Sequence, residues 1–378
     1  MKNKKIVLIY IVTVFLLALV FFGTLFAYDP LKLFHNEGTY KDYIQKNMRE
    51  QAAGIINNWD FDSITLGTSM LENTSSKEAS EQLGGNFVNI SLSGGNYFER
   101  KFVLDYALRK KELKKVLYSL DYLGNFSKGP IPKWSYLYDY NRFNDFKAYI
   151  NDKYLKWLFS FRTKKWIMGR KISLDRPNAW YKDKLSSERF GSLHNWFKRK
   201  NNWRYKMVFP QILNSIKEIK AGHIINTDIS EKLKMSKNFI DETLLSAVEK
   251  YPETEFIFVL PPYSRIRYAI WAQHDKSYFE RYKKSLEYLV LQSENYENMK
   301  IYGWGTESFL DDISNYKDLR HYEYKINSWM LKAIKNNQGL LSVENIDNYL
   351  NQITQKALQY DLLILGEKIE KYLHPEDK

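Results

Sequence analysis

The sequence predicts a doubly wound α/β domain with a parallel sheet, set behind an N-terminal membrane anchor. Three observations lead there. Short continuous apolar runs alternate with longer polar segments of helical character. The stretch from Ile6 to Tyr28 carries no charged residue and follows Lys2, Lys4 and Lys5. The alternation breaks once, in a stretch crowded with tryptophan.

The anchor comes first. At ~1.5 Å per residue its apolar run is long enough to cross a ~30 Å hydrocarbon core. It exceeds the ~7–15 residue core of a secretory signal. Thr24-Leu-Phe-Ala-Tyr28 lacks a clear A-x-A-like cleavage site, so an uncleaved anchor is favoured over a cleaved signal. The positive-inside tendency keeps the lysines cytoplasmic. Residues 1–5 are then a cytoplasmic tip and 6–28 a single span of the inner membrane. Everything from Asp29 onward lies on the periplasmic or extracellular side. The net charge of +13 therefore points to anionic envelope polymers or lipid head groups, or to a merely solvated lysine-rich surface, and argues against nucleic acid. The absence of cysteine excludes disulfides, thiolate chemistry and Cys-ligated zinc.

Tyr40 to Trp59 reads as a helix. Five runs then read as buried strands: Ser63–Leu66, Phe87–Ile90, Val116–Leu120, Phe256–Leu260 and Lys300–Tyr302. Each is short and nearly continuous in apolar residues, as strands covered on both faces must be. Helical segments at Tyr97–Lys111, Ser230–Lys250, Ser277–Ser293 and Tyr322–Asn336 lie between or after them. The α/β domain is thus expected over 29–123 and 210–340. A helical tail follows over 341–378, with Leu350, Ile353, Leu358, Leu362 and Leu365 as its apolar positions.

The break is an insertion over 124–209. It holds Trp134, Trp157, Trp166, Trp180, Trp196 and Trp203, six of the ten tryptophans, interleaved with Lys and Arg. It reads as a cap over the sheet's carboxyl edge, where aromatic faces suit sugar rings and cations suit anionic substituents. The same tryptophans serve equally as the core of the cap itself.

Ligands of doubly wound sheets bind beyond the carboxyl ends of the strands, and Gly67-Thr68-Ser69 sits at one such end. Two readings of Ser69 compete there. Ser69-x-x-Glu72 matches a capping box, which would commit the hydroxyl to a helix start. A nucleophilic serine needs a base, and the base an orienting partner. Of the six histidines, His35 lies just past the anchor, His194 in the insertion, His223 and His274 beside helix starts, and His374 in the tail. His321 lies just past the last strand and before the helix Tyr322–Asn336, with Asp318 three residues ahead of it. No H-E-x-x-H pattern or close His pair occurs, so no metal is expected. The glycine pairs in Leu83-Gly-Gly-Asn86 and Ser93-Gly-Gly-Asn96 match neither a phosphate loop nor a dinucleotide fingerprint, so no cofactor is expected.

Five motifs in order carry a resemblance: "LGTSMLE" after the first strand, "NISLSGGNYFE" after the second, "VLYSLDY", "FIFVLPPYS" and "DLRHY". The set resembles the SGNH/GDSL hydrolases over roughly Asp62 to Trp329, apart from the insertion. It is closest to their membrane-anchored envelope branch, which includes polysaccharide O-acetylation proteins and the D-alanine-transfer protein of teichoic acid synthesis. The resemblance implies a flavodoxin-like three-layer α/β/α domain with Ser69 as nucleophile, His321 as general base and Asp318 as its orienting acid. It implies an oxyanion hole from the Ser69 and Gly94 amides, with Gly95 beside them. The family's third block has an Asn where this chain reads Ser119-Leu-Asp121-Tyr122. An ionised Asp121 would repel an oxyanion, and Asn96 is the nearest substitute donor. Asp121, Tyr263, Trp134 and Tyr322 are the substrate-binding candidates.

The resulting expectation is a membrane-anchored serine esterase or O-acyltransferase acting on an acylated glycan or envelope polymer. One span cannot carry an activated acyl group across a membrane, so transfer would need a multi-span membrane acyltransferase as partner. The alternative is a non-catalytic binding or assembly partner of such an acyltransferase or of a polymer export machine.

Overall fold

A computed structural model describes residues 2–35, 48–126, 129–152, 184–196 and 203–373. The chain divides into two compact units. One comprises Met1–Asp60, Phe102–Lys111 and Pro130–Leu174, and the other Phe61–Lys101, Glu112–Gly129 and Asp175–Lys378.

The first unit begins with helix α1 (Lys2–Tyr28). Its segment Lys4–Ala27 is long and apolar enough to cross a membrane, and almost none of it is buried by protein. The chain leaves α1 through a tight turn. The Asp29 carboxylate accepts the backbone N–H groups of Leu33 (2.9 Å), Phe34 (2.7 Å) and His35 (3.0 Å). Helix α2 (Met48–Asn58) packs on that turn. Gly54 makes the approach possible, since a Cβ there would fall 2.2 Å from the Lys32 carbonyl oxygen. Of the predicted helix Tyr40–Trp59, residues 40–47 lie outside the described residues.

The second unit is built on a six-stranded sheet: β1 (Ser63–Leu66), β2 (Phe87–Asn89), β3 (Lys115–Ser119), β4 (Glu255–Val259), β5 (Met299–Tyr302) and β6 (Leu340–Leu341). The order is β2-β1-β3-β4-β5-β6. The first four pairings are parallel and β6 is antiparallel to β5. All five predicted strands are present. β6 was missed, because two residues carry no periodicity. The chain passes from β1 to β2 on one side and back across β1 to β3 on the other, so the topological switch lies at β1, where doubly wound sheets bind ligands.

Right-handed crossovers place the helix after β1 and the helices after β3 and β4 on opposite faces. Accordingly α3 (Ser76–Leu83) packs against the helix Tyr324–Lys335, which follows β5. The helices Arg265–Gln273 and Ser230–Ile240 pack against Lys276–Ser293. The predicted helix Ser230–Lys250 is continuous but carries one π turn at Asp241–Leu245. In the tail, Leu350, Ile353, Leu362 and Leu365 are buried as predicted and Leu358 is exposed.

The predicted insertion contributes to both units. Residues 130–152 belong to the first, and 184–196 and 203–209 to the second. Trp134 packs in the first unit against Phe102 and Tyr138. Trp196 is core in the second, donating its indole N–H to the Tyr316 carbonyl at 2.7 Å. Trp157, Trp166 and Trp180 lie outside the described residues, as does His374, and the side chain of Trp203 is likewise not described.

Candidate functional site

The turn after β1 is where sequence and structure first diverge. No helix begins at Met70. Residues 68–74 form two successive turns, and α3 starts at Ser76 with Ser75 as its cap, whose hydroxyl accepts the Glu78 N–H at 3.0 Å. The capping reading of Ser69 therefore gives way to Ser75-x-x-Glu78, a second match to the same pattern six residues on.

Buried polar side chains hold this turn in place. Asn89 donates to the carbonyls of Leu71 (2.8 Å) and Thr74 (2.9 Å). Asn327 donates to the Met70 carbonyl at 2.9 Å, and Tyr322 to the same oxygen at 3.0 Å. Gly67 allows the turn to fit, since a Cβ would meet the Ser119 hydroxyl at 2.5 Å and the Leu71 Cβ at 2.9 Å.

Ser69 is half-buried at the top of this turn, and its Oγ lies 2.9 Å from His321 Nε2. The imidazole is fixed from its other side. Nδ1 lies 2.9 Å from both oxygens of Asp318. A carboxylate only accepts, so the proton sits on Nδ1 and Nε2 is left to accept from the serine hydroxyl. Asp318 is itself held in a turn, accepting the N–H groups of Arg320 (3.0 Å) and His321 (2.9 Å) through Oδ1. The His321 side chain is 14% exposed and that of Asp318 8%, so the pair is shielded while the imidazole edge stays open. The structure thus brings Ser69, His321 and Asp318 into one line, across 252 residues of sequence.

The expected oxyanion donors separate. Leu92 to Gly95 is a turn closed by the Gly95 N–H donating to the Leu92 carbonyl at 2.8 Å, so the Gly95 amide is committed. Gly94 stands at its third position with φ +65, a conformation glycine adopts without strain, and is exposed. Its N–H makes no hydrogen bond among the described residues. The Asn96 carboxamide oxygen caps the helix Tyr97–Lys110 by accepting the Glu99 N–H at 2.8 Å, and Glu99 accepts the Asn96 N–H at 3.2 Å.

Three of the four substrate-binding candidates, Asp121, Tyr263 and Tyr322, are buried. Asp121 is 2% exposed. Its Oδ1 accepts from the Thr68 hydroxyl at 2.8 Å and its Oδ2 from the Ser119 hydroxyl, with Arg100 Nη1 at 3.5 Å. Tyr263 is buried over the same carboxylate, its hydroxyl 3.4 Å from Oδ1, and burial holds the phenol well above its usual range. Tyr322 is buried on the Met70 carbonyl. Trp134 belongs to the other unit.

Two cations near the site escaped the sequence reading. Arg100 is fully buried between the rings of Tyr97 and Tyr118, at 4.4 and 4.6 Å. Burial works against its charge, but the surroundings, Tyr118 and Asp121 foremost, outweigh it and raise the guanidinium above its ordinary value. Arg100 thereby compensates Asp121, the charge expected to repel an oxyanion. An aspartate at the end of an apolar strand is the signal that such a partner is needed. Arg320 precedes the histidine and lies half-buried over the Tyr122 ring at 4.9 Å, with burial lowering its pKa against the pull of Asp121. Against known proteins, no family model matches this chain, and no curated protein matches it.

Proposed function

We propose that this chain is a membrane-anchored serine esterase or O-acyltransferase of SGNH type, with a flavodoxin-like domain held outside the inner membrane by residues 6–28. The observation that carries the reading is the line Ser69 Oγ–His321 Nε2–His321 Nδ1–Asp318, with 2.9 Å at each contact. Nucleophile, base and orienting acid stand in the relation that serine acyl transfer requires.

In this reading Ser69 Oγ attacks an ester carbonyl carbon while its proton passes to His321 Nε2. Asp318 stabilises the imidazolium that forms. Negative charge develops on the carbonyl oxygen, and the unengaged Gly94 N–H is the donor for it, beside the Ser69 amide. Collapse expels the alcohol, which takes the proton from His321. The acyl group stays on Ser69 until water, or a hydroxyl of a glycan or envelope polymer, attacks it with His321 again as base. Transfer rather than hydrolysis needs a multi-span membrane acyltransferase to supply the acyl group, and the insertion would shape access to the site.

The commitment of the Gly95 amide to its own turn, together with the absence of an Asn at block three, favours the alternative of a non-catalytic assembly partner. The two separate in one experiment. The full chain in detergent should release acetate from a chromogenic acetyl ester, and Ser69→Ala or His321→Ala should each remove on the order of 10³-fold or more of that rate. Wild-type turnover in both variants, or no turnover in the parent, would leave only the assembly role.

A further inference from the structure

We propose that the 3₁₀ helix Arg142–Tyr149, with Ile150 after it, rests in the lipid interface beside the exit of α1 and forms a second contact with the bilayer. The helix is pinned directly to the exit turn. The Tyr149 hydroxyl donates to Asp29 Oδ1 at 2.5 Å and accepts the Leu31 N–H at 3.1 Å. Arg142 Nη2 donates to the Leu33 carbonyl at 2.6 Å.

With three residues per turn, Phe143, Phe146 and Tyr149 share one stripe. Tyr149 is buried at its inner end. The Phe146 ring stacks on Phe34 at 4.4 Å, and Phe34 lies 5.5 Å from Phe26, in the last turns of the apolar helix. An aromatic row therefore runs from the end of the span outward, at the level where aromatic side chains collect in membrane proteins. Its outer end is bare, Phe143 being 93% exposed, and Ile150, which follows Tyr149, is 61% exposed. Covering side chains of this kind is favourable, and the surface that continues directly from α1 is lipid. Lys147 on the same helix is exposed and suited to anionic head groups. Such a contact would fix the rotation of this unit about α1, which a single span leaves free.

The inference rests on α1 crossing the bilayer, and the test reads both. The chain has no cysteine, so single labels are clean. The full chain carrying Ile150→Cys or Leu16→Cys, each with an environment-sensitive nitrobenzoxadiazole label, is reconstituted into phosphatidylglycerol-containing vesicles. Both labels should be quenched by spin-labelled lipid and protected from aqueous iodide. Adding Phe143→Glu, at an exposed position that leaves the fold intact, should shift the Ile150 label towards iodide. Three results overturn the proposal. A Leu16 label in lipid with the Ile150 label open to iodide removes the contact and keeps the span. A Leu16 label open to iodide removes both. An Ile150 label shielded from both quenchers gives the patch to a protein partner.

Discussion

Asp318 and Asp121 are both buried beside the carboxyl edge of the same sheet, and they do different work because of what faces them. Asp318 faces His321, an imidazole that can take and return a proton, and through it Ser69. Asp121 faces Arg100, which stays charged, together with the hydroxyls of Thr68 and Ser119. One carboxylate therefore ends a line that leads to a half-open serine. The other closes a buried network that holds the serine's turn from below. Both are buried; in the proposed mechanism, whether the partner can exchange a proton decides between chemistry and support.

The contrast can be broken most sharply at Asp318. Asp318→Asn should cut ester turnover on the order of 10³–10⁴-fold while shifting the melting temperature little, because an amide of the same shape fills the turn. An equal loss of stability and activity would make Asp318 a structural residue like Asp121. Next comes Arg100→Met, which strands the Asp121 charge. It should destabilise the second unit by ~3–5 kcal/mol in urea denaturation. Pairing it with Asp121→Leu should recover much of that loss, and failure to recover would mean the two do not act as a pair. Thr68→Val removes one donor to Asp121 and the hydroxyl that accepts the Met70 N–H at 3.3 Å. A cost of about 1–3 kcal/mol and a smaller change in turnover are expected.

The smallest effect concerns a third buried carboxylate. Asp145, in the first unit, is buried with neither a histidine nor an arginine hydrogen-bonded to it among the described residues. Burial pushes its pKa up to about 7, against the pull of Arg142 and Lys110 and with the help of Asp139. A raised carboxyl favours the neutral form when folded, so its contribution is present at low pH and is lost as pH rises through about 7. The first unit should melt a few degrees lower at pH 8 than at pH 5.5, and Asp145→Asn should flatten that slope. An unchanged slope in the variant would assign the pH dependence elsewhere.

The sheet was largely legible in the sequence because strands covered on both faces must be continuous apolar runs, and each of the five occurred in order. The pair His321 and Asp318 was legible because local spacing alone brings them together. What could not be read depends on contacts distant in sequence. Ser69-x-x-Glu72 and Ser75-x-x-Glu78 are equally good helix starts by pattern. The choice is made by Asn89, Asn327 and Tyr322, which occupy the carbonyls of residues 70, 71 and 74 and hold them out of a helix. Likewise, Arg100 is one cation in a helix rich in them until folding places it under Asp121. Tyr263 and Tyr322 suit a binding site by type, yet their hydroxyls are spent on framework acceptors.

Ser69 is proposed here as a nucleophile activated by His321. Labelling the full-length chain with a fluorophosphonate probe, and locating the adduct by mass spectrometry, tests it most directly. The adduct should form on Ser69 and fall to background in His321→Ala. An adduct elsewhere, or labelling of Ser69 that is undiminished without His321, would contradict it.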